Sequence, residues 1–231
     1  MEEVLKLHKR HWNEAGLPFI LHSLVFIFLC FSPCFAQKDA NAGKLLDKSA
    51  ETFARAGGIS ASFTLNIKNT GAKTAESFDG SILMKGDKFF LSTPETDSWF
   101  DGKTQWVYMK NSKEVNISEP TQQELQMMTP SVLFNVYKKG FNYKYTGERT
   151  DLKGYPVYEL ELIPRKKTGV TKVIIQIGKK DNLPVSISII NKNGINNIIH
   201  INKYQTGQNF SDDLFVFNKK KYPEVEIIDL R

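Results

Sequence analysis

A chain of 231 residues that is 41% hydrophobic, 12% aromatic and 24% charged has the make-up of a folded globular protein. That balance excludes a disordered polypeptide, a collagen-like fibre and a disulfide-dense miniprotein. The length fits one large domain or two small ones, and the formal charge of +6 is a modest basic excess.

The N-terminus has its own logic. Lys6, Lys9 and Arg10 precede an apolar run over residues 19–31 that is interrupted by His22 and Ser23. The run is shorter than the roughly 20 apolar residues of a membrane helix. Behind it, Cys34-Phe35-Ala36 places small residues three and one positions before Gln37, as a signal peptidase requires. The pattern predicts a signal peptide at residues 1–36, cleaved after Ala36, and a single exported domain at 37–231. An uncleaved anchor is the alternative; Pro33 disfavours lipidation of Cys34. Cleavage would remove both cysteines and three of the four histidines, leaving His200. That excludes a cysteine nucleophile, a disulfide framework and a His/Cys zinc site, and no cofactor is expected.

Residues 41–56 read as an amphipathic helix, with Leu45, Leu46, Ser49, Phe53 and Ala56 near helical spacing and Gly57-Gly58 as its stop. The period then switches to two. Ile59, Ala61, Phe63, Leu65 and Ile67 alternate with polar residues, which predicts a half-buried strand. Strands over 77–85 and 88–92 follow, turned by Gly86-Asp87. Asp101-Gly102 is a hairpin signal that leads into strands at 104–108 and 114–117. Pro120 and Pro130 then open two helices, at 122–128 and 131–139, ended by Gly140. From residue 141 the strands resume at 141–145, 155–163, 170–177, 184–191, 195–204 and 214–217, separated by short polar turns. The expected fold is mainly β, in the α+β class. It is a curled antiparallel sheet of about ten to eleven strands that forms an unclosed barrel, because twist prevents so long a sheet from staying flat. The N-terminal helix and the mid-chain insertion would lid its concave face and leave a cavity.

Several of these segments resemble one family. DGKTQWVY at 101–108 is similar to the DGKTxWxY hairpin of the LolA-type periplasmic lipoprotein carriers. The segment 215–229 resembles that family's closing FxFxxPxGxxVxD stretch, and Ile59-Ser60-Ala61-Ser62-Phe63 its strand after the first helix. The Pro-flanked insertion at 120–139 falls where the family has lid helices. The likeness runs in order over residues 41–229. It implies a periplasmic chaperone without bond chemistry, whose apolar hollow shields lipoprotein acyl chains. The partners it implies are acylated lipoproteins, an inner-membrane lipoprotein-releasing ABC transporter that loads the carrier, and an outer-membrane acceptor that unloads it. One position departs: the family's lid-holding Arg, after the second strand's Val-Lys, corresponds to Gly86 behind Lys85.

On this reading the acyl-chain lining comprises Phe63, Leu65, Ile82, Met84, Phe89, Leu91, Trp106 and Tyr108 on the strands, with Leu125, Met128, Leu133 and Phe134 on the insertion. A soft methionine-bearing lid suits a ligand that must be released, and each buried methylene is worth about 0.8 kcal/mol. Ordinary core packing is the competing explanation for every one of these residues. Alternation says which of them share a face and leaves open which face is inside. Trp99 and Phe100 fit either a cavity mouth or a loop staple. His200 reads as an exposed-face strand residue, and the carboxylates Asp212, Asp213, Glu224 and Glu226 as turn positions; as a glycosidase pair they carry little. The basic clusters at 138–139, 165–167, 179–180 and 219–221 read as solvated tips that also suit an anionic surface or an acidic partner. Nucleic-acid binding is not expected, and neither is enzymatic activity. The carrier is expected to act as a monomer, and the alternative function is a lipid-binding or envelope-sensing module on the same scaffold.

Overall fold

The computed structural model describes residues 39–71, 75–121, 137 and 140–231 of the chain. It is mostly β, with a single long helix and one unclosed, curled sheet of twelve strands among the described residues. The helix, α1, spans Ala40–Arg55. Asp39 caps it, its Oδ1 accepting from the Asn41 and Ala42 amides at 2.8 and 3.3 Å. The other carboxylate oxygen accepts from the Tyr145 amide at 2.9 Å, so the same side chain ties the helix start to an edge strand. That backbone bond holds the Asp39 carboxyl below its usual range. Gly57, at φ +67°, ends the helix in the left-handed conformation a β-carbon would strain.

Strands β1 (Gly58–Asn69), β2 (Glu76–Lys85), β3 (Lys88–Ser92), β4 (Thr96–Phe100), β5 (Gln105–Met109) and β6 (Glu114–Ser118) form one antiparallel meander. Strands β7 (Phe141–Thr150), β8 (Pro156–Pro164), β9 (Val170–Gly178), β10 (Pro184–Asn191) and β11 (Ile195–Gln208) form a second. β11 pairs with β1 and joins the two halves. A last strand, β12 (Glu226–Asp229), adds parallel to β6. β7 and β12 are the two ends of the strand order, and they do not pair with each other.

Three expectations are corrected here. Thr96–Phe100, over which the sequence predicts no strand, forms one: its polar start is held by pairing on both sides, with Ser92 opposite Asp97 and Thr96 opposite Met109. The strand expected at 214–217 is instead a 3-10 turn, Asp212–Phe215. The sheet is not wholly antiparallel, because β12 extends it beyond β6 with the one parallel pairing described. The inserted helices expected at 122–128 and 131–139 lie outside the described residues apart from Tyr137, as does the expected signal peptide. No helix among the described residues is long and apolar enough to cross a membrane.

The core lies where α1 crosses the inner face of the sheet. Ala42, Leu46, Ser49 and Phe53 form the buried stripe of the helix. Ala42, Leu46 and Phe53 pack in one cluster with Ile59, Ala61, Ile82, Met84, Phe89 and Phe100 from the first meander, and with Leu160, Leu162, Val173, Ile175, Ile177 and Ile187 from the second. One helix reaching both halves is what the curl of the sheet permits.

Candidate functional site

Register defines two faces without ambiguity, since residues that oppose one another across antiparallel strands share a face. Phe63 opposes Gly80, Ala61 opposes Ile82, Ile82 opposes Leu91, and Met84 opposes Phe89. Continuing through Leu65–Ile199, Ile199–Ile187 and Ile187–Ile175, the same face crosses to the second meander. Phe63, Leu65, Ile82, Met84, Phe89 and Leu91 are therefore brought together on the inner face, as alternation predicts. They differ in how far they are covered. Phe63, Ile82, Met84 and Phe89 are buried, whereas Leu65 and Leu91 are half-buried, as are their inner-face neighbours Ile67, Phe78, Ile189, Ile199 and Ile201. The inner face thus runs from a helix-sealed region into an apolar stretch that the described residues leave partly open.

Gly80 has a steric role in this wall. A β-carbon there would lie 2.4 Å from Cζ of Phe63 and 2.9 Å from the Ser92 carbonyl oxygen, so the bare backbone makes room for the Phe63 ring. On β4 and β5 the inner face is mixed, Phe100 and Val107 sharing it with polar side chains. Ser98 and Gln105 are buried there, and Gln105 Nε2 donates to Ser98 Oγ at 3.1 Å.

Trp106 and Tyr108 do not belong to this wall. Trp106 opposes Trp99 and Tyr108 opposes Asp97, which puts both on the outer face. There they join a second apolar layer that the sequence reading missed. Trp99 packs on Phe90 at 5.1 Å between ring centroids and on Phe217 at 5.4 Å, and Tyr222 sits 4.8 Å from Tyr108. The C-terminal segment lies across this layer as a strap. Lys85 Nζ donates to the Phe210 carbonyl at 2.8 Å and pairs with Asp212 at 2.9 Å, and Lys88 pairs with the same carboxylate at 2.7 Å. Bonds from Lys88 and Lys85 hold the Asp212 carboxyl at about 2. Lys113 pairs with Glu224 at 2.8 Å further along. Lys85 is thus committed to the strap, and Gly86, at φ +59°, has no atom within 4 Å of where its β-carbon would be. Trp99 belongs to the outer layer and Phe100 to the inner core.

Leu125, Met128, Leu133 and Phe134 lie outside the described residues. Tyr137, from the same insertion, is buried against α1. Its hydroxyl donates to Asp47 Oδ1 at 2.5 Å and its ring meets Tyr143 edge-on at 5.4 Å. Burial and the Asp47 carboxylate push the Tyr137 phenol far above its usual range. His200 is half-buried on the outer face opposite Thr64 and Ser186, and desolvation lowers its pKa. Asp212 and Glu224 are consumed in ion pairs at the surface. No group of three His, Cys, Asp or Glu suited to a metal occurs among the described residues.

A family model described as outer membrane lipoprotein carrier protein LolA matches residues 32–194. No curated protein matches the chain. Among solved structures, an uncharacterized conserved protein from Thermus thermophilus is similar with a TM-score of 0.57 at 11% identity, over 82% of this chain and 99% of that one. A putative outer membrane lipoprotein-sorting protein domain from Vibrio parahaemolyticus has a TM-score of 0.44 at 14% identity, covering 78% and 99%. The Pseudomonas aeruginosa MucA/MucB complex has a TM-score of 0.47 at 16% identity, covering 78% of this chain and 62% of that one.

Proposed function

The chain belongs to the LolA family of outer membrane lipoprotein carrier proteins, and from that premise we propose that it is a periplasmic carrier that holds lipoprotein acyl chains against the inner face of its sheet. One observation carries the reading. The apolar wall continues past the helix-sealed core into Leu65, Ile67, Phe78, Leu91, Ile189, Ile199 and Ile201, which stand half-buried among the described residues. A sheet with unpaired edges and an incompletely covered apolar interior suits a flexible hydrocarbon ligand, which gains about 25 cal/mol for each Å² removed from water. Binding and release need no bond chemistry, so the protein acts as a chaperone and not as an enzyme. On this reading it is exported with residues 1–36 removed, works as a monomer, takes acylated lipoproteins from an inner-membrane ABC transporter, and yields them to an outer-membrane acceptor.

A second reading has its own observation. With Lys85 held by the strap and no side chain at Gly86, the family's cationic latch has no counterpart at this position. A lipid-binding or envelope-sensing module, retaining its ligand instead of passing it on, would not need one. Mass spectrometry of acyl species that co-purify with the native protein decides between them. A di- or triacylated N-terminal cysteine peptide or an intact lipoprotein supports the carrier. Free phospholipid alone, or no acyl species, favours the sensing module.

A further inference from the structure

The two ends of the second meander differ in charge. At one end three connections are laced together: Thr70 donates from its amide to the Gly194 carbonyl at 3.0 Å, and Lys192 to the Gly169 carbonyl at 2.8 Å. These connections present Lys68, Arg165, Lys166, Lys167 and Lys192, all exposed. Lys68, Lys166, Lys167 and Lys192 form no ion pair with a described carboxylate. Among the described residues of the three connections, Glu76 is the one acidic side chain. Glu161, deeper on β8, is already held by Lys144 and Lys172 at 3.1 and 2.8 Å. At the opposite end the cations are engaged or offset. Lys179 pairs with Glu148, Lys153 donates to the Asn202 carbonyl at 2.5 Å, and Lys180 is followed by Asp181.

The apolar wall points to the same basic end. On β1 and β11 the inner face passes from Ile201, opposite Phe63, and Ile199, opposite Leu65, across Asn197, opposite Ile67, to Ile195 at the rim, which is 37% exposed. A rim of lysines that meet no described carboxylate and border an emerging hydrocarbon surface has the profile of a membrane interface: charge above, acyl chains below. Lysines near an anionic bilayer are drawn to it over about a Debye length, and aliphatic side chains at the rim meet the headgroup boundary.

We propose that this end of the sheet, built from Lys68, Arg165, Lys166, Lys167 and Lys192, docks on the surface of a bilayer containing anionic phospholipid and aligns the inner apolar wall with the acyl layer. The inference rests on the inner face proposed above as the acyl site, and adds to it the surface at which that face is presented. Docking would put the wall where an acyl chain leaves or enters a membrane, without a protein partner to hold it there.

The test is co-flotation of the protein, produced from the full chain, with vesicles of equal parts phosphatidylglycerol and phosphatidylcholine, or of phosphatidylcholine alone, at low and moderate salt. The expected result is binding to the anionic vesicles that weakens as salt rises, with none to phosphatidylcholine. A lysine near such a surface is worth about fivefold in affinity, so losing three of them should weaken binding about a hundredfold, and the charge reversal Lys166→Glu, Lys167→Glu, Lys192→Glu well beyond that. Lys→Gln changes at the same sites should fall in between. Equal binding to both vesicle types, a reversal variant that binds as well as the parent, or phosphatidylglycerol stripped onto the protein without co-flotation overturns the proposal. So does binding that needs an acidic protein on the vesicle. Acylated-peptide binding, followed in parallel, separates the two readings. If the reversal variant keeps it while losing vesicles, both stand. If the parent floats with anionic vesicles yet takes up no acylated peptide, the carrier reading fails and the docking surface survives.

Discussion

Strands β3–β5 carry apolar side chains on both faces, and the two faces are finished differently. The outer layer of Phe90, Trp99 and Tyr108 is closed by the protein's own C-terminus, whose Phe217 and Tyr222 complete the aromatic contacts. The inner layer is closed by α1 over Phe89, Met84 and Ile82, and then continues half-covered through Leu91, Leu65 and Ile199. An apolar surface that the chain seals with its own aromatic side chains is structural. An apolar surface that the described residues leave partly bare is, on the function proposed above, the one a ligand would cover. Hydrophobicity of the residues does not distinguish them; what covers each face does.

The largest effects should fall where each layer is sealed. Phe89→Ala in the inner core and Trp99→Ala in the outer layer should each cost about 3–5 kcal/mol, read from urea unfolding, because both leave a void among well-packed neighbours. The two should part in function: Trp99→Ala should bind acylated peptide as the parent does once temperature is lowered to keep it folded. Equal loss of binding in both would erase the distinction between the layers.

Gly80→Ala probes the wall from behind. With Phe63 and the Ser92 carbonyl both in the way of a β-carbon, the substitution should cost about 1–3 kcal/mol, and Phe63→Leu in the same chain should restore part of it. A neutral Gly80→Ala would mean the Phe63 ring is not held against the strand.

At the open part of the inner face the balance should reverse. Leu65→Ala and Ile199→Ala remove half-buried side chains, so each should cost only about 1–2 kcal/mol. Together they should weaken acylated-peptide binding at least tenfold, as expected when several methylenes of contact are lost at about 0.8 kcal/mol each. Titration calorimetry separates that outcome from a simple loss of stability.

The smallest effect belongs to the strap. Asp212 titrates at about 2 in the folded protein against an ordinary 3.8. A depressed carboxylate stabilises fully above its unfolded value and loses that contribution as pH falls through its folded one. The strap's hold through Asp212 should therefore be complete above about pH 4 and fade between 3.8 and about 2. Tryptophan fluorescence should show that step in the parent, and Asp212→Asn should lack it.

Much of this was legible in the sequence because alternation is local. Ile59, Ala61 and Phe63 announce a half-buried strand by spacing alone, and Asp101-Gly102 announces its hairpin. Trp106 and Tyr108 show where local reading stops. Their alternation is as clear as that of Ile82 and Met84, but which side of β5 faces inward is set by pairing with β4, and a one-residue offset moves every side chain to the other face. β4 itself was hidden because its start, Thr96-Asp97-Ser98, is wholly polar and includes the poor strand former Asp97, and it gains its place from neighbours on both sides. The strap was hidden for a related reason. Residues 214–217 alternate like a strand, but Asp212 is held by Lys85 and Lys88, some 120 positions away, and no local pattern records that contact. The half-buried Ile189, Ile199 and Ile201 were identified as strand residues, and only the β1–β11 register adds them to the wall that holds Leu65.

The measurement that bears most directly on the account is photo-crosslinking with an acylated cysteine peptide carrying a diazirine in its acyl chain, followed by mapping of the labelled residues. The account predicts labels on Leu65, Leu91, Ile199 and their inner-face neighbours, and none on Trp106 or Tyr108. Labels concentrated on the outer aromatic layer, or none anywhere on the sheet, would contradict it.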